Sequence, residues 1–204
     1  VTVASRRLLE HKRRREQILN AAKKLFDDKG FDSTTVEEVA FRAELGKGTI
    51  YSYFKSKEEI YVAIMEKELE ILEERMEAAV ARADSAIAAL YSLYDTFINY
   101  HRERRGFIET LFVQADQQVS FRLGGMVSGL KNKAATWRMI VGKVLRAGIA
   151  GGELRRFDVN IMSHVVIGII IGIIIQQASN QNVVELDEYR KTVFALVLEG
   201  LKKA

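Results

Sequence analysis

The sequence predicts an all-α protein, on three observations. Apolar residues recur three and four positions apart along nearly the whole chain, the period of an amphipathic helix. No stretch alternates convincingly with period two, as a half-buried strand does. The 204 residues contain no proline, so helices are expected to meet through short turns rather than long linkers. About nine helices are expected, as an N-terminal helix-turn-helix unit of three helices followed by a larger helical domain. The expected boundary places residues 1–56 in the first domain and 57–204 in the second.

The first clear helix is expected from about Arg13 to Lys29, with Ile18, Leu19, Ala22, Leu25 and Phe26 on its apolar face. Gly30 is a natural stop, because glycine takes the left-handed conformation without a Cβ clash. The next segment, Ser33-Thr34-Thr35-Val36-Glu37-Glu38, is a helix start. Thr34 with Glu37, or Thr35 with Glu38, fits a capping box, and the sequence does not decide between them. A short helix through Val39, Ala40 and Ala43 breaks around Glu44-Leu45-Gly46, and a second short helix runs from Lys47 to Phe54. Ser56, with Glu59 three residues on, caps a long helix ending near Ala83. Further helices are expected at about 84–104, 106–119, 122–150, 158–180 and 186–203, with Asp158 and Asp187 near the starts of the last two.

Charge is concentrated at one end. The net charge is +4, yet residues 5–15 carry Arg6, Arg7, Lys12, Arg13, Arg14 and Arg15 against Glu10 alone. Such a cluster suits a phosphate-binding arm, although a solubilising tail or a patch for anionic membranes has the same composition. There are no cysteines, which excludes disulfides and thiolate chemistry. The most apolar run, Val165 to Ile175, is eleven residues, whereas a membrane span needs roughly 20. No apolar signal segment follows the basic start, so a cytoplasmic protein without a membrane partner is expected.

Two short helices joined by a tight turn form a helix-turn-helix pattern, whose second helix enters the major groove of DNA. In that helix Ile50 and Phe54 are four apart and can anchor its inner face. Lys47, Thr49, Tyr51, Ser52 and Tyr53 supply polar groups, and Gly48 lets the backbone approach DNA closely. Lys57 lies near the amino end of the next helix, where a phosphate could be held. Lys47, Thr49 and Tyr51 are the candidates for base contact, while Arg13, Arg14 and Arg15 suit phosphates or an A·T-rich minor groove.

These residues carry a resemblance. Ile18-Leu19-Asn20-Ala21-Ala22, Leu25-Phe26, Lys29-Gly30-Phe31, Thr34-Thr35-Val36, Val39-Ala40, Ala43, Lys47 to Phe54 and Lys55 to Glu59 together resemble the DNA-binding domain of the tetracycline-repressor (TetR) family. The resemblance covers residues 15–66, about a quarter of the chain. It implies a homodimeric regulator, usually a repressor, that a small molecule releases from a pseudo-palindromic double-stranded operator. It also implies DNA contact at Thr35, Lys47, Gly48, Thr49, Tyr51, Tyr53 and Lys57. One departure is visible: the family often has Gly-Val-Ser before the recognition helix, where this chain has Glu44-Leu45-Gly46.

The remaining residues resemble nothing specific. Candidates for a small apolar ligand are Tyr94, Phe97, His101, Phe107, Phe112, Trp137 and His164, although aromatic residues at helical spacing are more often plain core. The family implies dimerisation through its last two long helices. That places candidate interface residues at Ile167, Gly168, Ile171, Gly172, Ile174, Tyr189, Val193, Leu196 and Val197, several of which could equally belong to the subunit's own core. No Gly-x-Ser-x-Gly, phosphate loop or metal-spaced His/Glu set is present, so no enzyme, metal or cofactor is expected. The alternative to a ligand-responsive repressor is an architectural DNA-binding dimer or an activator without an inducer.

Overall fold

The first helix, α1 (Val3–Lys29), begins ten residues earlier than the sequence suggests. Residues 6–10 are Arg, Arg, Leu, Leu and Glu, all good helix formers, and Arg14 bonds back to Glu10 at 3.2 Å one turn earlier. The basic segment is therefore a helical extension. The computed structural model describes residues 3–103, 124–179 and 185–203, and these divide into two compact units, Val1–Glu68 and Leu69–Ala204.

In the first unit, α1 is followed by α2 (Val36–Arg42), α3 (Lys47–Tyr53) and the opening turns of α4 (Lys57–Ala81). Gly30 ends α1 at φ +84°, and its N–H bonds to the Phe26 carbonyl at 2.9 Å. Thr35, not Thr34, caps α2: its hydroxyl accepts from the Glu38 N–H, and the Glu38 carboxylate accepts from the Thr35 N–H. Thr34 is buried instead and donates to the Gly30 carbonyl at 2.8 Å. The core joins Ile18, Leu19 and Phe26 of α1 to Val39, Ala40, Ile50 and Phe54. Phe26, Phe31 and Tyr61 add an aromatic cluster with ring centroids 5.0–5.5 Å apart.

The second unit contains the rest of α4, then α5 (Ala86–Glu103), α6 (Gly124–Ala150), α7 (Val159–Ser179), α8 (Leu186–Tyr189) and α9 (Ala195–Leu201). The single helix expected over 186–203 is interrupted by a π-helical stretch, Arg190–Phe194. That stretch opens at Arg190, whose guanidinium grips Asp95 of α5 with two bonds, 2.7 and 3.0 Å, and lies over the Tyr91 ring. The helix expected at 106–119 lies outside the described residues. Glu153 caps α5 from a distance in sequence, accepting from the N–H groups of Ala86 and Ile87 at 2.7 and 2.8 Å. Asp158 caps α7, accepting from Asn160 and Ile161. At Gly148 the chains approach so closely that an added Cβ would stand 2.6 Å from Ala86 Cβ and Leu154 Cδ1. No strand occurs among the described residues, only one isolated bridge between Leu154 and Lys202. No helix among them is long and apolar enough to cross a membrane.

Candidate functional site

The turn between α2 and α3 is short. Gln17 of α1 donates to the Ala43 carbonyl at 2.7 Å, and the Leu45 N–H donates to the Ala40 carbonyl at 2.9 Å. Glu44 takes φ +53°, a left-handed conformation that favours glycine. It stands where the TetR pattern often has that glycine, so the departure from the pattern is a locally strained turn. Gly46 is the N-cap of α3 and contributes no side-chain bond.

Ile50 of α3 and Phe54, the extended residue that caps its carboxyl end, are buried as the two anchors. Lys47, Gly48, Tyr51 and Ser52 are exposed, and Thr49 and Tyr53 are half-buried. A Cβ at Gly48 would meet nothing within 4 Å, so the backbone here is open to an approaching surface. Lys47 forms an ion pair with Glu37 of α2. Their contact holds the Glu37 carboxyl below its ordinary value and raises the Lys47 ammonium above its own. The Lys47 ammonium also lies 5.9 Å from the Tyr51 ring centroid. Ser52 donates to the Thr49 carbonyl at 2.7 Å.

Thr35 is exposed with its hydroxyl engaged in the capping box. Arg13 and Arg14 are exposed on α1, while Arg15 is half-buried with its guanidinium 5.2 Å from the Phe54 ring centroid. Lys57 departs from expectation. Its ammonium donates to the carbonyls of Phe31, Asp32 and Thr34 at 2.7, 3.3 and 2.8 Å, and lies over the Phe31 ring. With all three protons directed to the loop before α2, it ties that loop down instead of presenting a phosphate site. The short residue spacing in sequence could not reveal these carbonyls.

Two features were missed in the sequence. His11 stacks on Tyr53 with ring centroids 4.5 Å apart, bracing the basic extension against the end of α3. Arg13, Gln17, Asn20, Lys24 and Arg42 line a cleft of about 510 Å³ along α1. The His11–Tyr53 contact joins two helices and is not encoded by local spacing, whereas the cleft is mostly one face of α1, closed by Arg42 of α2.

In the second unit the structure gathers four of the ligand candidates and separates one. Tyr94, Phe97 and His101 are buried on one face of α5, and Trp137 of α6 meets Phe97 edge-on at 5.1 Å. The Tyr94 hydroxyl donates to the Leu186 carbonyl at 2.9 Å, and burial with nearby Asp95 and Asp187 pushes it up to about 12. Phe107 and Phe112 lie outside the described residues. His164 is not among the aromatics: it is exposed on α7, bonded to the Asn160 carbonyl, in a groove with Arg138, Gly142, Arg146 and Ser163.

The expected interface residues on α7 fall on two sides of the helix. Ile167 and Ile174 are buried in the subunit's own core and Ile171 is half-buried. Gly168 and Gly172 are exposed, and they share a face with Ile161 and Val165, which are 64% and 40% exposed. A helix apolar all round gives its periodicity no way to mark the inward side. Leu196 is 69% exposed on α9, Tyr189 and Val197 are half-buried, and the Val193 side chain lies outside the described residues.

Residues 18–64 match the family model described as bacterial regulatory proteins, tetR family. Over 189 residues the chain is 23% identical to the fatty acid metabolism regulator protein of Bacillus subtilis, covering 91% of this chain and 94% of that protein. The crystal structure of the transcriptional regulator FadR from Bacillus subtilis in complex with stearoyl-CoA superposes with a TM-score of 0.69 at 22% identity, over 91% of this chain and 98% of the other. A transcriptional regulator of the TetR/AcrR family from Thermobifida fusca gives a TM-score of 0.70 at 25% identity, over 93% and 99% of the two chains.

Proposed function

We propose that the chain is a regulator of the TetR family, on the match of residues 18–64 to that family's model, and that it is a ligand-responsive repressor that reads its operator through α3. The observation that carries this reading is the division of α3 into two faces. Ile50 and Phe54 fix it to the core, while Lys47, Gly48, Tyr51 and Ser52 stand exposed on the other side. Lys47, Thr49 and Tyr51 make the base contacts, and Thr35, Ser52 and Tyr53 support them. Arg13, Arg14 and Arg15 add sequence-independent phosphate contacts. The DNA-binding domain, expected over residues 1–56, takes in the opening turns of α4 that pack in the first unit, and the rest of the chain is the ligand-binding and dimerisation domain. The test is operator affinity at fixed salt: Lys47→Ala and Tyr51→Ala each weaken it about 5- to 100-fold without unfolding. Unchanged affinity in both variants defeats the assignment.

The ligand is a small molecule with an apolar body, bound among the helices of the second unit. The buried Phe97–Trp137 pair supports this choice, as does the stearoyl-CoA held by the similar FadR structure. α4 is continuous from Lys57 to Ala81 and contributes residues to both units. Ligand entry displaces it, which alters the separation of the two recognition helices in a homodimer. Half-sites lie about 34 Å apart or a multiple of that, so a changed separation loses major-groove contacts on one side. The relatives are transcriptional regulators, and a non-enzymatic, cytoplasmic role follows from this reading.

A further inference from the structure

Trp137 Nε1 and Glu73 Oε1 are buried polar atoms with no hydrogen-bond partner among the described residues. They belong to neighbouring parts of the second unit. The other carboxylate oxygen of Glu73 accepts from Lys133 at 2.7 Å. Lys133 and Trp137 are four residues apart on α6, hence one turn apart on the same face. The Glu73–Lys133 pair is mostly shielded, with side chains 17% and 23% exposed, and Phe97 adjoins the indole.

A buried donor or acceptor left unmade costs free energy, and native structures keep few of them. The indole N–H can only donate, and an ionised carboxylate can only accept. A group that satisfies both atoms must accept from Trp137 and donate to Glu73. We propose that these two atoms form the polar end of the ligand site and select a neutral amide or alcohol on an apolar skeleton over the corresponding carboxylate. A carboxylate brings no donor for Glu73 and places a second negative charge beside it. The charge of Lys133 is already balanced by Glu73, so it offers an incoming carboxylate less than a free ammonium would. A bare hydrocarbon leaves both atoms unsatisfied. This inference rests on the ligand-responsive reading above and specifies the ligand's chemistry.

Trp137 is the chain's single tryptophan, so its emission reports directly on the site. The full-length protein is titrated with dodecanamide and with dodecanoate below their aggregation limits, following Trp137 emission and heat of binding. Dodecanamide is expected to shift the emission and to bind about tenfold more tightly than dodecanoate. Trp137→Phe keeps an aromatic ring against Phe97 and is expected to lose most of that preference, read by calorimetry. Glu73→Gln, which can turn its amide to donate, is expected to admit dodecanoate almost as well as the amide. Equal affinities for the wild type, tighter dodecanoate binding, no binding of either probe, or a preference that survives Trp137→Phe overturns the inference. Retention of genomic DNA by the same samples is measured alongside. Specific DNA binding with no amide preference removes this ligand chemistry and leaves the regulator standing, whereas loss of specific DNA binding removes the regulator itself.

Discussion

Glu44 and Glu38 show how single side chains set the geometry of the DNA-reading unit. Glu44 sits at φ +53°, a conformation that costs a residue with a Cβ about 1–2 kcal/mol. Glu44→Gly removes that strain at some cost in unfolded-chain entropy, so stability is expected to rise by up to about 1 kcal/mol in chemical denaturation. A loss of stability would show that the turn is not strained. Glu38 is held down to about 2 by Lys29 and then by the Thr35 backbone and hydroxyl. Its folded value is below its ordinary value of 4.5, so its contribution is present above pH 4.5 and is lost as pH falls towards 2. In acid titration Glu38→Gln is expected to flatten the stability loss across that window, and an unchanged profile would place the acid sensitivity elsewhere. The capping box was visible in the sequence, but the choice between Thr34 and Thr35 was not. It depends on Thr34 being buried with its hydroxyl on the Gly30 carbonyl.

Among the elements, α2, α3 and the start of α4 were legible because caps, a stop glycine and short amphipathic turns mark them locally. The early start of α1 was not, because charged residues in a helix and in an arm look alike in composition. The inward face of α7 was hidden for the opposite reason, as the helix has no polar side to mark. Two predictions belong here. Gly148→Ala drives a Cβ to 2.6 Å from Ala86 and Leu154, and thermal or urea unfolding is expected to show a loss of about 1–3 kcal/mol. Wild-type stability would mean that α5 and the Leu154 turn yield freely. Leu196 is 69% exposed on α9, and an apolar side chain in that position suits a subunit interface. Leu196→Glu is expected to shift the protein from dimer towards monomer in sedimentation at micromolar concentration with helix content retained, and an intact dimer would exclude α9 from the interface.

For the whole molecule, the sequence reached the fold class, and the resemblance was legible because the residues that carry it lie within one continuous segment. Of the proposed ligand site the sequence named Phe97 and Trp137 but not Glu73 or Lys133. There the relevant neighbours, Glu73, Lys133, Trp137 and Phe97, come from three different helices, and only tertiary packing brings them near one another. Lys57 illustrates the same limit in the other half, since the carbonyls that hold it come from the α1–α2 connection. The central claim is that α3 reads a specific operator for a ligand-responsive dimer. It is tested most directly by sequencing the genomic DNA fragments retained by the wild-type protein at physiological salt. The account predicts a small set of enriched fragments sharing a pseudo-palindromic site, with enrichment lost in Lys47→Ala. Even coverage of the genome, or the same enrichment in that variant, would contradict it.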